Sequence, residues 1–175
     1  LWFFPIYKGF LTAMSDRKQK ILADLADARA LLNVVLDQLT AEQWETPIQD
    51  GDEHWTPHNM LAHLFDAERG MVGQATRIAA GETPIPPDFD LDRWNRRAVK
   101  KLTDQSVVDL RNNLAETRAA VNQAIEALPE AGLDVIGRHS SLQMLSVEAI
   151  FRLIGSHERD HAANIATAFK LPIST

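Results

Sequence analysis

The stretch VEAIFRLIGSHERDHAANIATA, residues 147–168, decides how this chain folds. Val147, Ile150, Phe151 and Ile154 recur at helical spacing. The apolar stripe then passes through His157 and His161 and resumes at Ile165 and Ala168. Both histidines therefore stand in line with residues expected in a core. At i and i+4 their rings are neighbours, roughly 6 Å apart along the helix axis. One histidine on such a stripe reads most simply as a core imidazole bonded to a neighbour. Two stacked on it read differently, because two imidazoles without partners in one core are costly. Together they make a ready chelate for Zn²⁺ or a similar ion.

The run from His157 to His161 also fits the H-E-x-x-H pattern of zinc proteases. That reading fails downstream: the 14 residues after His161 contain no His, Asp, Glu or Cys. A third ligand must come from upstream, and Glu158 has no strong claim as a general base.

Outward from this helix, three more amphipathic segments appear. The first runs from about Asp16 to Leu39, with Ile21, Leu25, Ala28, Leu32, Val35 and Leu39 on one face. Thr40 to Gln43 has capping-box form, and residues 48–54 read as a polar loop. The second helix starts after Thr56-Pro57, a good N-cap followed by proline at the first helical position, and stops at Gly81. One of its faces reads Met60, His63, Ala67, Gly70, Met71, Gln74. Three prolines in TPIPPDFDLDRWN, residues 83–95, forbid a regular helix and mark a crossover, with room for a short helix from Leu91. The third helix spans about Asp104 to Leu128, and a loop from Glu130 to Leu145 leads back to the fourth. The sum is an all-α four-helix bundle.

Four upstream histidines compete for the third ligand position. His54 and His139 fall in loops and read as exposed, and His58 lies in the first turn of the second helix. His63 is one turn further in, among small residues that let a helix or ligand approach. If the second and fourth helices are antiparallel neighbours, the depths agree. His63 lies roughly 9 Å inside the start of one helix, and His161 roughly 15 Å from the end of the other. Glu68, five residues past His63, points elsewhere on the helix and reads as a surface or supporting group. Trp55 and Trp94 read as core packing or as lining of a site roofed by residues 49–55 and 84–95. Asn95 reads as a cap or crossover anchor.

Composition narrows the function classes. The formal net charge is −6 and no basic stripe is visible, which argues against a nucleic-acid partner. The chain has no cysteine, so thiolate ligands, disulfides and cysteine nucleophiles are excluded. No stretch approaches the ~20 apolar residues of a membrane span, and a cytoplasmic protein is expected. The first thirteen residues, LWFFPIYKGFLTA, read as an N-terminal extension ahead of the bundle domain of residues 14–175. The alternative for them is an apolar arm that docks on its own bundle or a partner's.

Three stretches now resemble the DinB family of bacterial four-helix metalloproteins: residues 54–64 (HWTPHNMLAHL), residues 89–95 (FDLDRWN), and Ser156-His157 through His161. The resemblance covers roughly Asp16 to Leu171. It implies up-down-down-up topology with a long link between helices two and three. It also implies one divalent ion (nickel, zinc or iron) on His63, His157 and His161, with an open position for water or substrate. Among similar proteins are thiol-dependent transferases, which implies a metal-dependent enzyme of S-transferase type taking a low-molecular-weight thiol. A metal-dependent hydrolase and a non-catalytic metal- or ligand-binding bundle are the alternatives. A homodimer is expected, because family members often pair and the apolar arm offers a contact.

Overall fold

The computed structural model describes residues 14–50 and 53–173. The leading thirteen residues, read above as an extension or a docking arm, lie outside the described residues. In chain order the elements are α1 (Asp16–Leu36), α2 (Ala41–Trp44), β1 (Ile48–Asp50), β2 (Glu53–Trp55), α3 (Pro57–Ala79), α4 (Leu91–Leu102) and α5 (Val107–Ala127). A 3₁₀ turn (Glu130–Asp134), β3 (Ile136–Arg138), β4 (Met144–Ser146) and α6 (Val147–Phe169) complete the chain. The four long helices expected from periodicity are α1, α3, α5 and α6.

Each start carries a side-chain cap, and the Thr40 and Thr56 caps are those expected from the sequence. Ser15, Thr56, Ser106 and Ser146 each accept a hydrogen bond from a backbone N–H in the first turn, and Thr40 and Thr56 close full capping boxes. Gly81 takes a left-handed φ of 82° just past α3, where a Cβ would be strained.

The helix directions follow from side-chain pairs. Arg17 bonds Glu148 and Arg29 bonds Glu158, so α1 and α6 run parallel. His58 donates to the Gln105 carbonyl and Arg118 donates to Glu68, so α3 and α5 run parallel. Lys18 meets the carbonyl of Glu126 while Arg29 meets that of Leu114, which sets α1 antiparallel to α5. This is the up-down-down-up order, made possible by the crossover that carries α4.

The core divides into two apolar layers. One contains Leu32, Met60, Leu61, Leu64, Leu110, Leu114 and Ile165. The other contains Ile21, Leu25, Met71, Ile78, Val121, Ile150, Phe151 and Ile154. Between them in every long helix falls one charged residue: Arg29, Glu68, Arg118 and Glu158 form a buried square. Arg29 Nε donates to Glu158 at 2.7 Å and its Nη2 to Glu68 at 2.6 Å. Arg118 Nε donates to Glu68 at 2.7 Å and its Nη2 to Glu158 at 2.9 Å. Glu68 and Glu158 are therefore structural, not surface groups.

Two segments read as loops from the sequence are β-hairpins. β1 pairs β2 from Ile48↔Trp55 to Asp50↔Glu53, and β3 pairs β4 from Ile136↔Ser146 to Arg138↔Met144. Both are too short to show period-two patterning. α1 also ends at Leu36 rather than Leu39, its last turn giving way to the approach to the Thr40 cap.

Candidate metal centre

His63 projects from the second turn of α3, whose register is set by the Thr56–Asn59 capping box and Pro57. His157 and His161 project from consecutive turns of α6. Because α3 and α6 are antiparallel, the three rings meet. His157 Nε2 lies 3.0 Å from His63 Nε2 and 3.0 Å from His161 Nε2. The rings stand edge-on to one another, with interplanar angles of 73° to 85°. Edge-on rings aim their nitrogens at a common point instead of stacking. Of the four upstream histidines, only His63 joins the pair. His58 is committed to the Gln105 carbonyl, and His54 is exposed on β2.

The donor set fits a divalent ion. With metal–nitrogen bonds of 2.0–2.1 Å, tetrahedral ligand atoms lie roughly 3.3 Å apart. One ligand atom from each of the three residues falls within 4.8 Å of the others. A proton shared between two imidazoles serves one pair at a time, whereas one cation at the centre serves all three nitrogens. Trp55 packs against His63 with ring centroids 4.9 Å apart and restricts its rotation.

His63 and His157 open onto a cavity of about 430 Å³, within the usual range for small-molecule sites. Its walls include Met71, Ile85, Phe89, Leu91 and Leu153. The α3 face read as His63, Ala67, Gly70, Met71 and Gln74 is the floor of this cavity, so its small residues admit a ligand and not a helix. The crossover forms part of the wall, as expected, through Pro84–Pro86, Phe89, Leu91, Trp94 and Asn95. Trp94 is 53% exposed; it is not a core residue. Its Nε1 donates to Asp66 at 3.0 Å, and Asp66 also accepts from Arg69 at 2.6 Å. Asp66 thus holds the indole at the cavity edge. Asn95, read as a cap, lines the cavity; the capping side chain of α4 is Asp90.

Of the residues 49–55 expected as a second roof, Trp55 is brought against the cluster, through its ring contact with His63. The loop joining β3 and β4 takes that role instead. His139, Ser140 and Ser141 line the cavity, and His139 is only 5% exposed. Burial lowers its pKa from the ordinary value, favouring the neutral ring. The loop is seated by Gly137, where a Cβ would come within 2.6 Å of Ile78. Nothing in the periodicity marks His139 as buried, because it follows from that hairpin packing on α3.

The sequence profile of the DinB superfamily matches residues 24–165, and the chain belongs to this superfamily. It is 27% identical over 105 residues to the protein of Bacillus subtilis (strain 168) named "Putative metal-dependent hydrolase YfiT". That match covers 59% of this chain and 58% of YfiT, so it spans little more than half of the relative's length. The solved structure of YfiT, described as "a probable metal-dependent hydrolase with an unusual four-helix bundle topology", superposes with a TM-score of 0.72. It covers 92% of this chain and 93% of that one at 19% identity, which establishes the shared fold. Among the described residues, no helix is long and apolar enough to cross a membrane.

Proposed function

We propose that His63, His157 and His161 hold one divalent ion and that the chain is a metal-dependent enzyme working at the wall of the cavity. One observation carries this reading: three imidazole nitrogens converge where a closed core opens into a ligand-sized space. Such an ion supplies Lewis acidity and lowers the pKa of a coordinated water or thiol. The protein's own groups do the rest. The three imidazoles approach from α3 and α6 and leave the cavity side for substrate. Trp55 fixes the His63 ring, Asp66 holds Trp94 over the edge, and the apolar walls exclude water from the reacting atoms.

The reaction we propose is transfer of a small thiol to an electrophile. The likeness to DinB-type transferases supports it, and the absence of cysteine means that any thiol enters as a cosubstrate. The carbon–sulfur bond forms as the leaving group departs, and the thiol proton passes to solvent. Hydrolysis is the second reading, favoured by the name borne by YfiT. Both use the same three ligands, so ligand mutants cannot separate them. Metal-loaded protein is offered 1-chloro-2,4-dinitrobenzene with and without bacillithiol, mycothiol or glutathione, and p-nitrophenyl acetate alone. Turnover that needs the thiol and vanishes in His161→Ala supports transfer. Ester cleavage without thiol, also lost in the mutant, moves the assignment to hydrolysis.

A further inference from the structure

The metal cavity has a second polar end. Gln74 lies three turns beyond His63 on α3, roughly 16 Å along the axis. Its Oε1 accepts the backbone N–H of Ser140 at 3.1 Å and ties the β3–β4 loop to that far end. The loop is preorganised: His139 N–H donates to the Gln143 carbonyl at 2.9 Å, Leu142 N–H to the His139 carbonyl at 2.8 Å, and Leu142 takes φ 65°. Bonding fixes the His139 tautomer as well. The Ser141 backbone N–H, which can only donate, points at His139 Nδ1 at 3.2 Å, and Ser141 Oγ lies 3.0 Å from the same atom. Nδ1 is therefore the acceptor, and the neutral ring carries its proton on Nε2. Ser140 Oγ is 3.4 Å from Nε2, long for a hydrogen bond, so this donor keeps capacity for a ligand.

The rest of the lining sets the ligand's character. Among the described residues, no Lys or Arg lines the cavity, and its one carboxylate, Asp66, is engaged by Arg69 and Trp94. An anionic group bound there would be desolvated without a counter-charge. The walls between the two ends are largely apolar.

We propose that the cavity is bipolar, with the imidazole cluster at one end and the His139 Nε2–H at the other, and selects an elongated, uncharged, mostly apolar substrate with a neutral acceptor oxygen at its far end. This rests on the metal-centred reading above and adds the substrate class. His139 is assigned as a specificity residue, remote from the bond that reacts.

The test uses three chelating probes of one length on metal-loaded protein: nonanohydroxamic acid, suberic acid monohydroxamate and its terminal primary amide. Affinities are measured by calorimetry on wild type, His139→Leu and His139→Gln, with metal content determined on the same samples. In the wild type the amide-ended probe should bind more tightly than the carboxylate-ended one. His139→Leu should weaken the amide-ended probe about tenfold and leave the methyl-ended probe within about twofold, while His139→Gln, which keeps a donor, should recover most of the loss. Equal changes in both probes, or none, overturn the assignment of His139. A carboxylate end that binds as tightly as the amide overturns the uncharged substrate class. Failure of every probe to bind protein that carries metal overturns the bipolar cavity alone, whereas protein that takes up no metal overturns the metal-centred reading. Nitrogen-15 spectra of the apo protein give an independent readout: a His139 ring protonated on Nδ1 would sink the donor role.

Discussion

Two polar clusters interrupt the apolar interior of this bundle, and they are built on opposite principles. The square of Arg29, Glu68, Arg118 and Glu158 balances itself, with two cations, two anions and each carboxylate accepting from both guanidiniums. Spare donors on the arginines reach the carbonyls of Leu114 and Leu25. The cluster of His63, His157 and His161 has no such balance. Three like groups bring nitrogens to one point, and in the function proposed above a divalent ion sits among them. A buried polar cluster that satisfies its own charges is architecture; one that concentrates a single kind of donor is a site. Glu158 and His157 are adjacent in sequence yet belong to different clusters, because successive positions on a helix such as α6 point about 100° apart.

The comparison breaks if the two clusters respond alike to mutation. The largest expected effect is at the imidazoles: His63→Ala or His161→Ala should weaken metal binding by more than about 100-fold, since even outer groups around a metal site are worth 10–100-fold. Metal per chain, read by mass spectrometry, checks this. Undiminished metal in either mutant would sink the ligand set. A chelator should lower the melting temperature of metal-loaded wild type, whereas His161→Ala, having little metal to lose, should not respond.

At the square the order reverses. Arg118→Met leaves two buried carboxylates with one guanidinium and should cost about 3–5 kcal/mol in urea unfolding, with metal per folded chain unchanged. A loss below about 1 kcal/mol would show that the square is not a structural unit. Glu68→Gln should cost less, about 1–3 kcal/mol, because the amide keeps the side chain's shape and an oxygen acceptor for the two guanidiniums. Burial already pushes the Glu68 carboxyl above its ordinary range, against the pull of Arg118 and Arg29.

The smallest effect is expected outside both clusters, at Arg17. It bonds Asp134 and Glu148 where α1 meets the start of α6. Hydrogen bonding to Arg17 depresses the Asp134 carboxyl. Burial pushes Glu148 up, but bonds from Arg152 and Arg17 more than offset it and leave it depressed. Depressed folded-state values stabilise the fold above the unfolded carboxylate range, and this is lost as pH falls through them. Arg17→Gln should therefore lower the melting temperature slightly at neutral pH, and the difference from wild type should shrink in acid. A gap that persists below both carboxylate pKa values would mean that Arg17 acts by packing.

Much of the charged square is legible in the sequence. Arg29 falls four residues after Leu25 and three before Leu32, and Glu68 and Arg118 fall the same way between Leu64 and Met71 and between Leu114 and Val121. A charge at a core register in several helices signals a buried network. Periodicity also misplaced one residue of the stripe, since Ala166 is buried and Ala168 is exposed.

By itself the sequence determined the four long helices, the caps at Thr40 and Thr56, the crossover and the inward pair of His157 and His161. Those depend on contacts within a few residues, where spacing along one chain fixes which side chains share a face. The tertiary structure decided which upstream histidine joins the pair, because that depends on two helices lying antiparallel at matched depth. It also decided that His139 is buried beside the cavity, through the fit of Gly137 on Ile78 and the bond from Ser140 to Gln74. Those partners are more than fifty residues apart in the chain, and no local pattern records such a meeting.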